Sequence, residues 1–362
     1  MDYEHLREFG WNSRWQAHWD ALGAENCRPA RITREDRGQY QAECESGETT
    51  AELSGKMRNA ALSRSDLPAV GDWVAVRMAD EGGAGLIEAV LPRTGAFIRK
   101  APGARTEEQL VAANVDVVFI VMGLDHDYNV RRLERYLTLA WDSAATPVIV
   151  LNKADLCEER QTYCDEVEGV AFGAPVCVTS AADGAGLEGL LAHIGPGKTA
   201  GLVGSSGVGK STLINALLGE ARQAVNAVRE DDSRGRHTTT RRELIPLPGG
   251  GLLIDTPGMR ELQLWGDEAG LQQTFQDVEE VAAQCRFNDC QHANEPGCAV
   301  RAAIDDGELD EGRFESYLKL QREMRYHAMR RDEGARSVER KRWRQIHKDW
   351  RARQKFEGKH KR

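Results

Sequence analysis

The sequence predicts a multidomain chain: a small β-barrel, an α/β domain of the P-loop type with its segments permuted, and a small helical domain clipped by a metal. Three observations carry this. Short strand-like runs with glycine turns fill the region before residue 102, and four nucleotide-site motifs each follow an apolar run but in an unusual order. Three cysteines also gather around one histidine near residue 290. A length of 362 residues suits two or three domains. The expected division is an N-terminal extension at 1–30, the barrel at 31–102, the permuted domain at 103–262, the metal domain at 263–330 and a basic tail at 331–362.

The extension reads as helix. Trp11, Trp15 and Trp19 recur every fourth residue, which sets three large rings on one face. Such a stripe is expected to pack on the body of its own protein. Beyond it the signals turn to short strands: Val74-Ala75-Val76 follows the turn Val70-Gly71-Asp72, and Leu86 to Val90 follows Gly82-Gly83-Ala84-Gly85. Regular short strands with glycine turns argue for a small barrel or sandwich. A five-stranded OB-type barrel is one solution and a plain small barrel another.

The next region alternates strand and helix. Residues 115–121 read as a buried strand, and Leu133, Tyr136, Leu137 and Ala140 follow at helical spacing. Further strands are expected at 148–151, 176–178, 200–203 and 252–254. Near-continuous apolar strands between helices indicate a parallel sheet covered on both faces. Ligands of such sheets bind at the carboxyl ends of the strands, which is where every motif falls.

Gly204-Ser205-Ser206-Gly207-Val208-Gly209-Lys210-Ser211 fits G-x-x-x-x-G-K-[ST]. Its glycines let backbone N–H groups curl around phosphate, and the following helix, which opens through Ser211 and Thr212, points its positive end at the same charge. Lys210 is expected on the β- and γ-phosphates, and the Ser211 hydroxyl on Mg²⁺. Asp255, in Asp255-Thr256-Pro257-Gly258, is expected to hold Mg²⁺, and the Gly258 N–H to sense the γ-phosphate. Among Thr238, Thr239 and Thr240, Thr239 is the preferred second Mg²⁺-closing residue; an ordinary surface loop is the competing reading.

Asn152-Lys153-Ala154-Asp155 fits N-K-x-D, and Thr179-Ser180-Ala181 lies after the next strand. A carboxylate at Asp155 can accept from both guanine N1–H and N2–H₂. Adenine offers neither donor and would leave the carboxylate unpaired, a mismatch that discriminates strongly. Asn152 would fix the loops, the Lys153 stem would lie along the base, and Ser180 and Ala181 would complete the base-side contacts. These base-reading motifs precede the phosphate-binding ones, the reverse of the usual order, which indicates circular permutation.

Cys285-x₄-Cys290-x-His292-x₅-Cys298 supplies three thiolates and an imidazole. Four protein ligands leave no open position, so a structural Zn²⁺ is expected, one per chain. The other five cysteines, Cys27, Cys44, Cys157, Cys164 and Cys177, read as reduced thiols. No apolar run is long enough to cross a membrane and no secretory signal is visible, so a cytoplasmic monomer is expected. The net charge of −9 conceals a tail from Arg322 to Arg362 with 16 Lys/Arg against 6 Asp/Glu. A basic tail on an acidic body suits a polyanionic partner, although a solvated charged helix gives the same composition.

With these motifs in this order, the chain resembles the ribosome small subunit-dependent GTPase A family over about residues 30–330. The resemblance implies an N-terminal OB-fold barrel, a central circularly permuted GTPase domain and a C-terminal zinc domain. It also implies late maturation of the 30S ribosomal subunit through contact with its rRNA, with GTP hydrolysed to GDP on that subunit before release. Where many GTPases place a water-orienting glutamine, this chain has Met259, whose thioether is a weak acceptor and no donor. His237 is the candidate catalytic residue, because its imidazole can position or deprotonate water. Two other functions fit the motifs less fully: an rRNA-binding assembly module whose nucleotide site is regulatory, and a metabolic P-loop enzyme.

Overall fold

The computed structural model describes residues 3–36, 38–61, 63–79, 83–100, 108–125, 127–219, 242–255, 268–293 and 295–329. Helices α1 (Glu4–Glu8) and α2 (Ser13–Leu22) open the chain, the second capped by the Asn12 side chain and closed by Gly23 in the left-handed region. The tryptophan stripe packs inward as expected. Trp11 and Trp15 lie 4.8 and 6.1 Å from the ring of the fully buried Trp73, and Trp19 is half-buried beside them. Each buried ring contributes on the order of 2–3 kcal/mol from apolar area.

Five strands form the barrel: β1 (Arg28–Asp36), β2 (Gln39–Cys44), β3 (Gly47–Leu53), β4 (Trp73–Arg77) and β5 (Gly85–Val90). Their order is β1-β2-β3-β5-β4, and the β4–β1 pairing closes the ring. All pairs are antiparallel except β3–β5, an OB-like closure. Ala30, Ile32, Tyr40, Ala42, Val74, Val76 and Ile87 fill it. Helix α3 (Gly55–Ala60) lies between β3 and β4, and a separate hairpin follows the barrel, β6 (Ala96–Lys100) with β7 (Glu108–Ala113).

The central sheet comprises β8 (Val117–Gly123), β9 (Thr146–Asn152), β10 (Val176–Val178), β11 (Thr199–Val203), β12 (Glu243–Pro246) and β13 (Leu252–Asp255). The order is β10-β9-β8-β11-β13-β12, parallel throughout except for β12. The apolar parallel strands match the sequence expectation, whereas β12 is not among the expected strands. Side chains alternate as a doubly covered sheet demands. Val118, Ile120 and Met122 of β8 enter one apolar cluster, while Val117, Phe119 and Val121 enter the other. Helices α6 (Leu187–Leu191) and α7 (Lys210–Leu218) cover the second face.

The first face is covered by α4 (Val130–Asp142), α5 (Arg160–Glu168) and the C-terminal helices α8 (Ala269–Thr274), α9 (Gln276–Ala282), α10 (Ala299–Asp305) and α11 (residues 311–329). Leu133 and Leu137 of α4 share their cluster with Leu271, Phe275, Val278, Val300, Phe314 and Leu320. The C-terminal helices therefore complete the sheet's own core. Among the described residues no helix is long and apolar enough to cross a membrane, and all eight cysteines are free thiols.

Candidate nucleotide site and metal centre

The loop from Gly204 to Gly209 joins β11 to α7, which begins at Lys210. The Lys210 ammonium folds back over this loop and donates to the carbonyl of Gly204 at 2.8 Å, with the Ser205 carbonyl also in contact. Val208 is buried, Ser206 and Gly207 are exposed, and Ser211 and Thr212 are half-buried in the first turn of α7. Gly209 has φ +95°, and a Cβ there would stand 2.3 Å from the Asn152 amide nitrogen. No other residue fits that place.

Asn152 is the last residue of β9 and almost fully buried. Its Nδ2 donates to the Val208 carbonyl at 2.8 Å; its Oδ1 accepts from Thr179 Oγ1 at 3.2 Å and from the Ala181 N–H at 3.1 Å. One amide thus joins three segments that lie far apart in the chain. Backbone bonds from Thr179 N to Leu151 O and from Ala154 N to Thr179 O, 2.8 and 3.1 Å, lock the two base-side turns together. Lys153 takes the left-handed conformation, and Asp155 is exposed in the short turn that follows. Ser180 is buried and Ala181 half-buried beside them.

Asp255 ends β13, next to the strand that feeds the phosphate loop, and is half-buried. The motif residues 152–155, 179–181, 204–212 and 255 thus gather at the carboxyl ends of β9, β10, β11 and β13. His237, Thr239, Gly258 and Met259 lie outside the described residues.

One further segment, the turn after β8, borders the site without carrying a sequence motif. Asp125 Oδ2 lies 2.5 Å from Lys153 Nζ. Asp127 accepts from the Ser205 hydroxyl and pairs with Arg132 at 3.1 Å. Burial pushes the Asp125 carboxyl up, but the bond from Lys153 and the Asp127 N–H outweigh it and hold it below the usual range. The available signal was its place at the carboxyl end of the strand beside β11, since its residues match no motif.

Cys285, Cys290, His292 and Cys298 bring their ligand atoms within 4.8 Å of one another. Both Cys285 Sγ and Cys298 Sγ are 3.5 Å from His292 Nδ1 and 4.0 Å from each other. Burial raises the Cys285 thiol, yet the N–H groups of Val300 and Ala299 at the start of α10 outweigh it and hold the thiol below its ordinary value. Cys290 is pushed up to about 11, by desolvation and then by the neighbouring thiols. Three thiols this close resist joint ionisation, and a cation among them removes that conflict. The cluster can therefore hold a metal ion.

The sequence model of the RsgA GTPase family matches residues 90–265. A protein from Opitutus terrae described as small ribosomal subunit biogenesis GTPase RsgA is 49% identical over 362 residues, 98% of this chain and 99% of that protein. One of the same description from Syntrophotalea carbinolica is 46% identical, covering 95% and 99%. Among solved structures, YjeQ from Thermotoga maritima superposes with a TM-score of 0.62 at 30% identity, over 82% of this chain and 98% of its own. YloQ, described as a circularly permuted GTPase, gives 0.57 at 26%, over 83% and 96%.

Proposed function

This chain belongs to the RsgA GTPase family, and from that premise we propose that it is a GTPase of small ribosomal subunit biogenesis. It binds the maturing 30S subunit through its rRNA, hydrolyses GTP there and then leaves. The observation that carries the nucleotide reading is the Asn152 amide, which ties the base-side turns to the phosphate loop. A pocket built this way needs both ends of one nucleotide.

The roles we assign follow the motifs. Asp155, exposed at the pocket edge, accepts from the guanine N1–H and N2–H₂, with Asn152, Lys153, Ala154, Ser180 and Ala181 framing the base. Residues 204–212 wrap the phosphates. Lys210 exchanges the carbonyls it now contacts for phosphate oxygens, whose full charge attracts it more strongly. Ser211, Asp255 and Thr239 are assigned to Mg²⁺, which when bound neutralises charge developing on the phosphates. Gly258 senses the γ-phosphate, and His237 positions the attacking water.

For the metal centre we propose one structural Zn²⁺. A tetrahedral zinc with Zn–S about 2.3 Å and Zn–N about 2.0–2.1 Å has S–S edges of about 3.8 Å and S–N edges of about 3.6 Å. The 4.0 and 3.5 Å separations of Cys285, Cys298 and His292 lie close to these, and all four ligand atoms lie within 4.8 Å of one another. The protein acts as a monomer in the cytoplasm, with the barrel, the zinc region and the basic tail facing RNA.

Phosphate release from GTP, measured with and without purified 30S subunits, tests the proposal. Strong stimulation by the subunit is expected. GTP binding with negligible turnover in both conditions would instead make the site regulatory. His237→Ala is expected to bind GTP normally and lose the stimulated turnover; retained stimulation would remove His237 from the mechanism.

A further inference from the structure

We propose that Asp125 is a positioning residue of the nucleotide site, which holds Lys153 across the base end of the pocket and sets how long a purine nucleotide stays bound without choosing the base. This rests on the reading of that pocket as a guanine-nucleotide site.

The topology brings the two residues together. Strands β8 and β9 are parallel neighbours whose register runs to Gly123↔Asn152, and Leu124 N continues it by donating to Asn152 O at 2.8 Å. Asp125, two residues past Gly123 on β8, and Lys153, one past Asn152 on β9, meet beyond the end of this ladder. Their charged atoms meet at 2.5 Å with both side chains about three-quarters covered. At that depth an ion pair is little screened.

The carboxylate has little freedom. Its second oxygen, Oδ1, accepts from the Asp127 N–H at 3.1 Å. A Cβ on Gly123 would stand 2.7 Å from this same oxygen, so the carboxylate folds back over the strand end only because that residue has no side chain. Lys153 itself sits at φ +64°, a conformation that a side-chain-bearing residue adopts at a cost. The ion pair fixes the direction of the lysine stem.

Lys153 and Asp155 divide the work. Asp155 reads the donors on the edge of the base, whereas a stem lying along the ring face contacts whatever purine is present. Guanine and hypoxanthine share that face and differ by one exocyclic amino group. The influence of Asp125 therefore falls equally on both.

The test is the dissociation rate of fluorescent GDP and IDP from full-length protein by stopped flow. The variants are Asp125→Ala, Asp125→Asn, Lys153→Ala and the alanine double variant, with thermal melts to confirm folding. Asp125→Ala is expected to release GDP about tenfold faster, since affinity changes of this kind appear in the off-rate, and IDP faster by the same factor. Asp125→Asn, which keeps a polar acceptor, is expected to fall between. The double variant is expected to be no faster than Lys153→Ala alone, because the two act as a unit. Wild-type dissociation from a folded Asp125→Ala protein, additive effects in the double variant, or a changed GDP-to-IDP ratio would each overturn the role. Failure of the unaltered protein to bind GDP would instead overturn the nucleotide reading itself.

Discussion

Asn152 gives one amide N–H and its carbonyl oxygen to other parts of the pocket, so it is a structural member before it is a ligand. Asn152→Ala would leave the Val208 carbonyl and the Ala181 N–H short of buried partners, each at a cost of about 1–3 kcal/mol. The expected outcome is a lower melting temperature together with at least about a tenfold loss of GTP affinity by titration calorimetry. Gly209→Ala attacks the same junction from the other side, because the new methyl meets that amide nitrogen. Asn152 and Asp155 stand out in the sequence as candidates because N-K-x-D is a local motif after a recognisable strand. Asp125 does not, because its partner is contiguous only through the β8–β9 register, which a linear reading does not display.

Helix α4 joins the candidate nucleotide site to the helices around the Cys/His cluster. It starts just after the Asp125–Asp127 turn, and three of its side chains reach across. Arg131 meets Asp310, Glu134 meets Arg313 at 3.1 Å, and Arg135 grips Glu323 with two bonds of 2.6 and 2.7 Å. Burial raises the Glu323 carboxyl, but Arg135 outweighs this and the net shift is downward. A folded value below the unfolded one makes the pair's contribution complete above the unfolded value of 4.5, and it is lost as pH falls through the folded value. Glu323→Gln is expected to cost about 1–2 kcal/mol at neutral pH, and urea titrations should show the gap from wild type narrowing toward pH 3. Metal removal acts on the same layer. Strong chelation is expected to release about one equivalent of zinc and lower the melting temperature, and Cys290→Ser to copurify with less zinc by elemental analysis. At this scale the spacing of Cys285, Cys290, His292 and Cys298 was readable, whereas β12 was not. Its Glu-Leu-Ile-Pro is short, ends in proline and owes its strand form to pairing with β13.

At the scale of the molecule, one buried cation holds the barrel, the N-terminal helices and the central sheet together. Arg31 of β1 donates to Thr199 Oγ1 at 2.7 Å, to the carbonyls of Gly71 and Asn114 at 3.3 and 3.4 Å, and to Phe9 O. Its guanidinium also lies over Trp73. Desolvation lowers its pKa to about 10, against the opposing pull of Asp116 and Asp72, so it stays charged at neutral pH. Arg31→Met would strand those acceptors and is expected to cost about 3 kcal/mol or more, read as a drop in the urea midpoint. The barrel as a class was visible in its turns, yet this junction was not, since nothing in the local sequence marks Arg31 as buried. The sheet order carries a last consequence. Strands β8, β9 and β10 form one contiguous half that precedes β11 in the chain. In chain order the strands that lead into residues 152–155 and 179–181 are complete before β11 and β13, which lead into residues 204–212 and end at Asp255, have been synthesised.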